Sequence, residues 1–197
     1  MTEILRTFVA VPLPEALLAR LAAVQDELRR LAQGREAQLF IPRPAGIHLT
    51  LQFLGDTPAE LAPAIDEKFR AALAGREAFA TQSRGAGGFP NLERPRVLWA
   101  GVHITDELTD LHWRVLAGLH GLPLKLDKKP FKPHLTLARV KRSRPGTLAR
   151  VMAPHLKEEF GALPVTEVVL FRSDLQPSGA IYTPLCRWEL EQAGSMS

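Results

Sequence analysis

The 197-residue chain has one cysteine, Cys186, one tyrosine, and no apolar run that reaches the length of a membrane-spanning helix, about 18 residues. A single cysteine excludes an internal disulfide framework and any zinc site built on thiolate pairs, and it suits a reducing, cytoplasmic setting. The N-terminus has no basic region followed by an apolar core, so an untargeted, soluble protein that does not engage a membrane is expected. What the chain does have is apolar residues at 46%, enough for one good core or for a core divided between two small lobes.

Net charge is modest overall but concentrated locally. Lys125, Lys128, Lys129, Lys132, Arg139, Lys141, Arg142 and Arg144 stand against the single acid Asp127, a local net of +7 in a chain whose formal charge is +4. The remainder therefore carries −3. A basic stretch within a mildly acidic protein suits a polyanion such as nucleic acid, although a solvated loop would look the same.

Apolar periodicity predicts a strand over Arg6 to Val11 and an amphipathic helix through Leu17, Leu21, Val24, Leu28 and Leu31 that ends near Gly34. A strand over Ile47 to Leu54, a helix from Pro58 to Leu73, and a strand over Phe79 to Arg84 follow. Gly85 to Asn91 reads as a turn, Arg96 to Ile104 as a strand, and Leu108, Leu111, Val115 and Leu119 as a third helix. Beyond the basic stretch, His134 to Val140 is strand-like, and Leu148, Val151, His155 and Leu156 form a helical face. Val165 to Leu175 and Ile181 to Leu190 read as strands around Pro177-Ser178-Gly179.

The order repeats. Each half runs from a His-Leu-Thr-Leu strand to a helix and then two strands, with a tryptophan 51 positions after His48 (Trp99) and 54 after His134 (Trp188). A duplicated α/β lobe is expected: one domain over residues 1–197, with motif strands near 46–54 and 133–140 and two sheet-plus-helix lobes facing each other.

His48-Leu49-Thr50-Leu51 recurs as His134-Leu135-Thr136-Leu137. Strand side chains alternate, so in each copy the leucines pack inward while His and Thr share the opposite face. If the lobes are related by pseudo-symmetry, two imidazoles and two hydroxyls converge on one space, which suits one phosphate. A cyclic phosphodiester needs a base to activate water and an acid to protonate the departing ribose oxygen. Two imidazoles that titrate near neutrality can supply both. The hydroxyls can donate to non-bridging oxygens. Spacing alone leaves open which histidine is the acid. Neither motif brings a carboxylate and Asp56 lies beyond its predicted strand, so neither metal nor other cofactor is expected. His103, His112, His120 and His155 lack a matching context and read as structural.

Several segments carry a family resemblance: Arg6 to Ala10, both tetrapeptides, Gly88-Phe89-Pro90 before Arg96 to Trp99, Phe131-Lys132-Pro133-His134, and Ser173-Asp174-Leu175 before Gly179 and Tyr182. Together they resemble the two-histidine phosphoesterases, and among them the RNA 2',3'-cyclic phosphodiesterases also known as 2'-5' RNA ligases. The resemblance spans nearly the whole chain. It implies an α/β fold of the α+β type, bilobal with pseudo-twofold symmetry, two mainly antiparallel sheets flanked by helices, and a central cleft. It also implies cofactor-free hydrolysis to a 2'-phosphomonoester, with His48 as proton donor and His134 as proton acceptor.

By the same resemblance, Thr50 and Thr136 bind phosphate, Arg139 completes His-x-Thr-x-x-Arg as a further phosphate ligand, and Phe8 stacks on a base. Strict alternation disagrees about Arg139, because it puts that residue on the leucine face and Lys132 on the histidine face, so Lys132 is a rival. Phe8 could equally fill a core, and Phe89 and Trp99 read as packing residues. Gly87-Gly88 lacks the strand-to-helix context of a phosphate loop. The expected partner is RNA with a cyclic phosphate end, tRNA fragments being one candidate, met by a monomer. Ligation of a 5' hydroxyl at the same site, an RNA-binding module without chemistry, and a small cyclic phosphate as substrate are the alternatives.

Overall fold

The computed structural model describes residues 2–126, 129–176 and 179–192. Asp127 and Lys128 of the basic stretch, and Pro177 and Ser178 of the expected turn, lie outside them. The helical stripes seen in the sequence are buried faces. Helix α1 (Glu15–Gln33) buries Leu17, Leu21, Val24 and Leu28 and stops at Gly34. Helix α2 (Ala62–Leu73) buries Ile65, Phe69 and Leu73. Helix α3 (Asp106–Leu119) buries Leu108, Leu111, Val115 and Leu119. It begins at Thr105, whose hydroxyl accepts the Leu108 N–H, with Asp106 and Glu107 at the positive end of the helix dipole. The fourth stripe is shorter than its spacing suggests, because α4 (Thr147–Met152) tightens into a 3₁₀ turn over Ala153–His155 around Pro154.

Nine strands are described: β1 (Ile4–Pro12), β2 (Ala37–Phe40), β3 (His48–Pro58), β4 (Phe79–Phe89), β5 (Val97–Val102), β6 (His134–Ser143), β7 (Glu159–Val165), β8 (Glu167–Gln176) and β9 (Gly179–Glu189). They form an α+β fold with a curled antiparallel sheet in the order β7-β4-β5-β6-β3-β1-β8-β9, with β2 added beside β6. The two motif strands lie at the centre, three strands flank each of them, and a single registered pair, Leu49 with Leu135, joins β3 to β6.

The flanking strands are exchanged: β4 and β5, which follow the first motif, build the half beside β6, whereas β8 and β9, which follow the second, build the half beside β3. Each half of the sheet therefore contains strands from both halves of the chain. Trp99 and Trp188 are not equivalent across this symmetry. Trp188 stacks on Phe69 in the core at 4.5 Å, and Trp99 lies against Phe89 at 5.2 Å.

Apolar periodicity does not predict β2 and β7. β2 is only four residues long, and β7 is an edge strand interrupted by Gly161 and Pro164, a composition that hides a strand signal. β4 also runs on through the segment expected to turn. There the glycines serve close packing, since a Cβ at Gly87 would stand 2.4 Å from the Trp99 ring and one at Gly88 would stand 2.9 Å from Pro95.

Candidate active site

The Leu49–Leu135 pair sits at the middle of both tetrapeptides, and each leucine is fully buried. Continuing the antiparallel register from this pair sets Thr50 beside His134 and His48 beside Thr136 on the opposite face. All four of these residues are half-buried, and Thr50 and His134 line a common cleft of about 460 Å³ with Phe53, Phe89, His112, Phe131 and Lys132.

Both imidazoles are fixed in the same way. Nδ1 of His48 is 2.9 Å from the Gly46 carbonyl, and Nδ1 of His134 is 2.7 Å from that of Lys132, in each case two residues upstream. A carbonyl can only accept, so Nδ1 carries the proton and Nε2 is left for a substrate. Aromatic rings brace each histidine. His48 stacks on Phe8 at 4.5 Å and meets the edge of Tyr182 at 5.0 Å, while His134 meets Phe89 edge-on at 5.0 Å.

This environment favours neutral imidazoles. Burial lowers the His48 pKa to about 4 against the support of the Gly46 carbonyl, and the charges of His134 and Arg139 lower it further. Burial also lowers His134, again partly offset by its carbonyl partner and reinforced by Arg139. Tyr182 is raised by burial, with Arg139 and Arg6 acting in the opposite direction.

Arg139 is exposed on the histidine side of β6, not on the leucine face, and its charge bears on both histidines. The physical reason is a β-bulge. Leu98 pairs with Ala138 and Trp99 with Thr136, so β5 skips Leu137; Leu137 and Ala138 are both buried, and the alternation resets to expose Arg139 on the histidine side. β3 does the same, since β1 pairs with Thr50 and Gln52 but skips Leu51, and Phe53 emerges where Arg139 does in β6.

The β6 bulge is held by a side chain from a helix. Gln25 of α1, fully buried, donates its amide to the Leu137 and Pro42 carbonyls at 3.0 Å each; at β3, burial lowers the pKa of His112 of α3 and the Leu51 carbonyl acts in the opposite direction. Lys132 is at the cleft as well, its ammonium 6.0 Å from the Phe89 ring centre. The structure thus brings both rivals for phosphate to the site.

Phe8 does not offer a stacking face. It is 3% exposed, stacked on His48 at 4.5 Å, 5.4 Å from Phe171 and edge-on to Tyr182 at 5.1 Å, so its ring is taken up in packing the imidazole. Phe89 is more than packing, because it braces His134. His112, read as structural, lines the cleft. Asp56 belongs to β3, opposite Arg6. Among the described residues, no three His, Cys, Asp or Glu side chains gather as a metal site would require.

A family model described as the 2'-5' RNA ligase superfamily matches residues 13–177. The chain belongs to this superfamily of two-histidine phosphoesterases. An RNA 2',3'-cyclic phosphodiesterase of Methanothermobacter thermautotrophicus is 35% identical, over 91% of this chain and 96% of the relative. Among solved structures, TT0787 of Thermus thermophilus superposes with a TM-score of 0.79 at 33% identity, covering 95% of this chain and 99% of that one. Escherichia coli LigT in complex with 3'-AMP gives 0.72 at 26% identity, covering 96% and 100%. Membership makes the chain a phosphoesterase of the two-histidine kind, an enzyme of the hydrolase class.

Sequence reasoning missed Phe53, Tyr182, Phe171 and Gln25 as parts of the site. For Phe53 a signal existed: extending the repeat by two residues aligns Gln52-Phe53 with Ala138-Arg139. Gln25 gave none, because a single polar residue on an apolar helical face looks like any other interruption.

Proposed function

We propose that the protein hydrolyses RNA 2',3'-cyclic phosphodiester ends to 2'-phosphomonoesters. The observation that carries this reading is the pairing of Leu49 with Leu135, whose register sets two Nδ1-anchored histidines and two threonines side by side on one face of the sheet, with Thr50 and His134 lining a cleft there. The relatives named RNA 2',3'-cyclic phosphodiesterase supply the substrate class. His134 takes a proton from water through Nε2, and the water oxygen forms a bond to phosphorus. The bond from phosphorus to O3' breaks, and His48 gives O3' its proton. The 2' oxygen keeps the phosphate. Proton exchange with solvent then restores both imidazoles.

Thr50 and Thr136 donate to the non-bridging oxygens, and Arg139 neutralises the charge that develops there; its guanidinium already acts on both histidines. Lys132 takes a supporting part. His48 is largely neutral in the free protein, so bound phosphate, by placing an anion beside it, raises its pKa and charges it for the acid role. We read the chain as one domain whose duplicated lobes each contribute one His-Thr pair. It works as a cytoplasmic monomer, with RNA fragments such as those of tRNA as substrates.

Incubation with an oligonucleotide ending in a 2',3'-cyclic phosphate, followed by identification of the product, tests the reading. A 2'-phosphate is expected. A 3'-phosphate would reverse the leaving group, and an untouched cyclic end would overturn the proposal.

A further inference from the structure

Helix α3 presents Trp113 to solvent at 64% exposure, and Ile104 just before the helix is 56% exposed. Both line a groove of about 920 Å³, whose walls include Leu116, Leu124, Lys125 and Lys129. The groove is not separate from the catalytic cleft. Gln52, His112, Lys129, Pro130 and Phe131 line both, and at their junction the rings of His112 and Phe131 stack at 4.1 Å, only 8° from parallel.

A large exposed indole flanked by ammonium groups is a poor surface for water and a good one for a flat, anion-bearing ligand. An apolar peptide or a second copy of the chain could cover Trp113 and Ile104, but neither accounts for a row of lysines, Lys125, Lys129 and Lys132, that leads from the groove to the phosphate site. RNA accounts for both features. A cyclic phosphate terminates the 3' end, so an RNA held in the cleft can leave it only in the 5' direction.

We propose that this groove binds the nucleotides 5' to the cyclic end, with a base stacked on Trp113 and backbone phosphates met by Lys125 and Lys129. The inference rests on the hydrolytic reading above. It gives the enzyme a preference for oligonucleotides over short cyclic ends, because every base has a face that can stack and the preference is set by chain length and not by sequence.

The test compares a dinucleotide and an octanucleotide, each ending in a 2',3'-cyclic phosphate, on the wild-type chain and on Trp113→Ala. The wild type should show a lower KM for the octanucleotide. Trp113→Ala should raise that KM by about five- to 150-fold, as loss of one stacked base would, and leave dinucleotide turnover unchanged. Trp113→Phe should restore part of the loss. Trp113 is on the surface, so its truncation spares the core, and Lys125→Glu gives a second variant that should weaken the octanucleotide more at low salt than at high salt.

Normal dinucleotide hydrolysis with no length preference, or with a preference that Trp113→Ala does not reduce, would overturn the groove alone. Failure of the wild type on both substrates would overturn the hydrolytic reading and the groove with it. A concentration-dependent dimer abolished by Trp113→Ala would reassign the groove to self-association.

Discussion

Gln25 sets its buried side-chain amide 3.0 Å from the carbonyl of Leu137, the residue of β6 that β5 skips. A bulge frees a carbonyl that the sheet no longer satisfies, and a buried carbonyl without a donor is costly, so the bulge persists because α1 supplies one. The consequence for the site lies two residues downstream, where Arg139 turns onto the histidine face. Gln25→Leu should destabilise the fold by about 1–3 kcal/mol in chemical denaturation. It should also lower kcat/KM by weakening the hold on Arg139. In the background of Arg139→Ala, the same change should have little further effect on kcat/KM. Fully additive losses would mean that Gln25 does not act through Arg139.

Lys132 lines the cleft and Arg139 lies on the histidine face, but only the charge of Arg139 bears on both histidines. Arg139→Ala should therefore cost the larger loss, about ten- to a hundredfold in kcat/KM, the range for a hydrogen bond to a charged group. Lys132→Ala should cost less. Arg139→Lys should recover only part of the activity, since an ammonium cannot reproduce the planar fork of donors. Steady-state kinetics of the three variants ranks them, and a greater loss in Lys132→Ala would reverse the assignment.

The pKa of His48, about 4 in the free protein, fixes a pH relationship. The acid form of His48 is scarce above that value until a phosphate anion binds beside it and raises the pKa. Because kcat/KM reports the free enzyme and kcat the complex, kcat/KM should peak at lower pH than kcat. Arg139 contributes to the depression, so Arg139→Gln should move the alkaline limb of kcat/KM upward. Coincident profiles for the two parameters would contradict a substrate-charged His48.

Away from the site, buried His155 joins α1 to the segment before β7 through Glu27 and Glu158, with Arg20 on the far side of Glu158. Burial alone would lower its pKa, but the hydrogen bonds and charges of Glu158 and Glu27 outweigh burial and raise it. A pKa raised on folding gives stability that is fully present below the unfolded value, near 6.5, and is lost as pH rises through the folded value. The melting temperature of the wild type should fall across that window. His155→Gln should lack this part of the fall, and an identical pH dependence in the variant would show that His155 does not carry it.

Much of this was legible in the sequence because it depended on local periodicity. Leucine spacing marked the first three helices, and the repeated tetrapeptide marked the two strands that meet at the centre of the sheet. The strand exchange was not legible, since nothing in Phe79–Phe89 or Val97–Val102 states which motif strand they will join. Arg139 is misplaced by alternation for a related reason. Strict alternation assumes an unbroken ladder, and the bulge at Leu137 depends on Gln25, more than a hundred residues earlier in the chain. The place of Phe8 was open in the sequence because a strand aromatic can face a ligand or a neighbour. Only its burial among the rings of His48, Phe171 and Tyr182 decides it.

The most direct test of the paired-histidine account is single-turnover hydrolysis of an RNA 2',3'-cyclic end by His48→Ala, His134→Ala and the double variant. General acid and base contributions predict a loss of about a hundredfold or more in each single variant. The double variant should be far less impaired than the product of the two losses, because the residues act as a unit. Near-normal turnover in either single variant, or losses that multiply in the double, would contradict it.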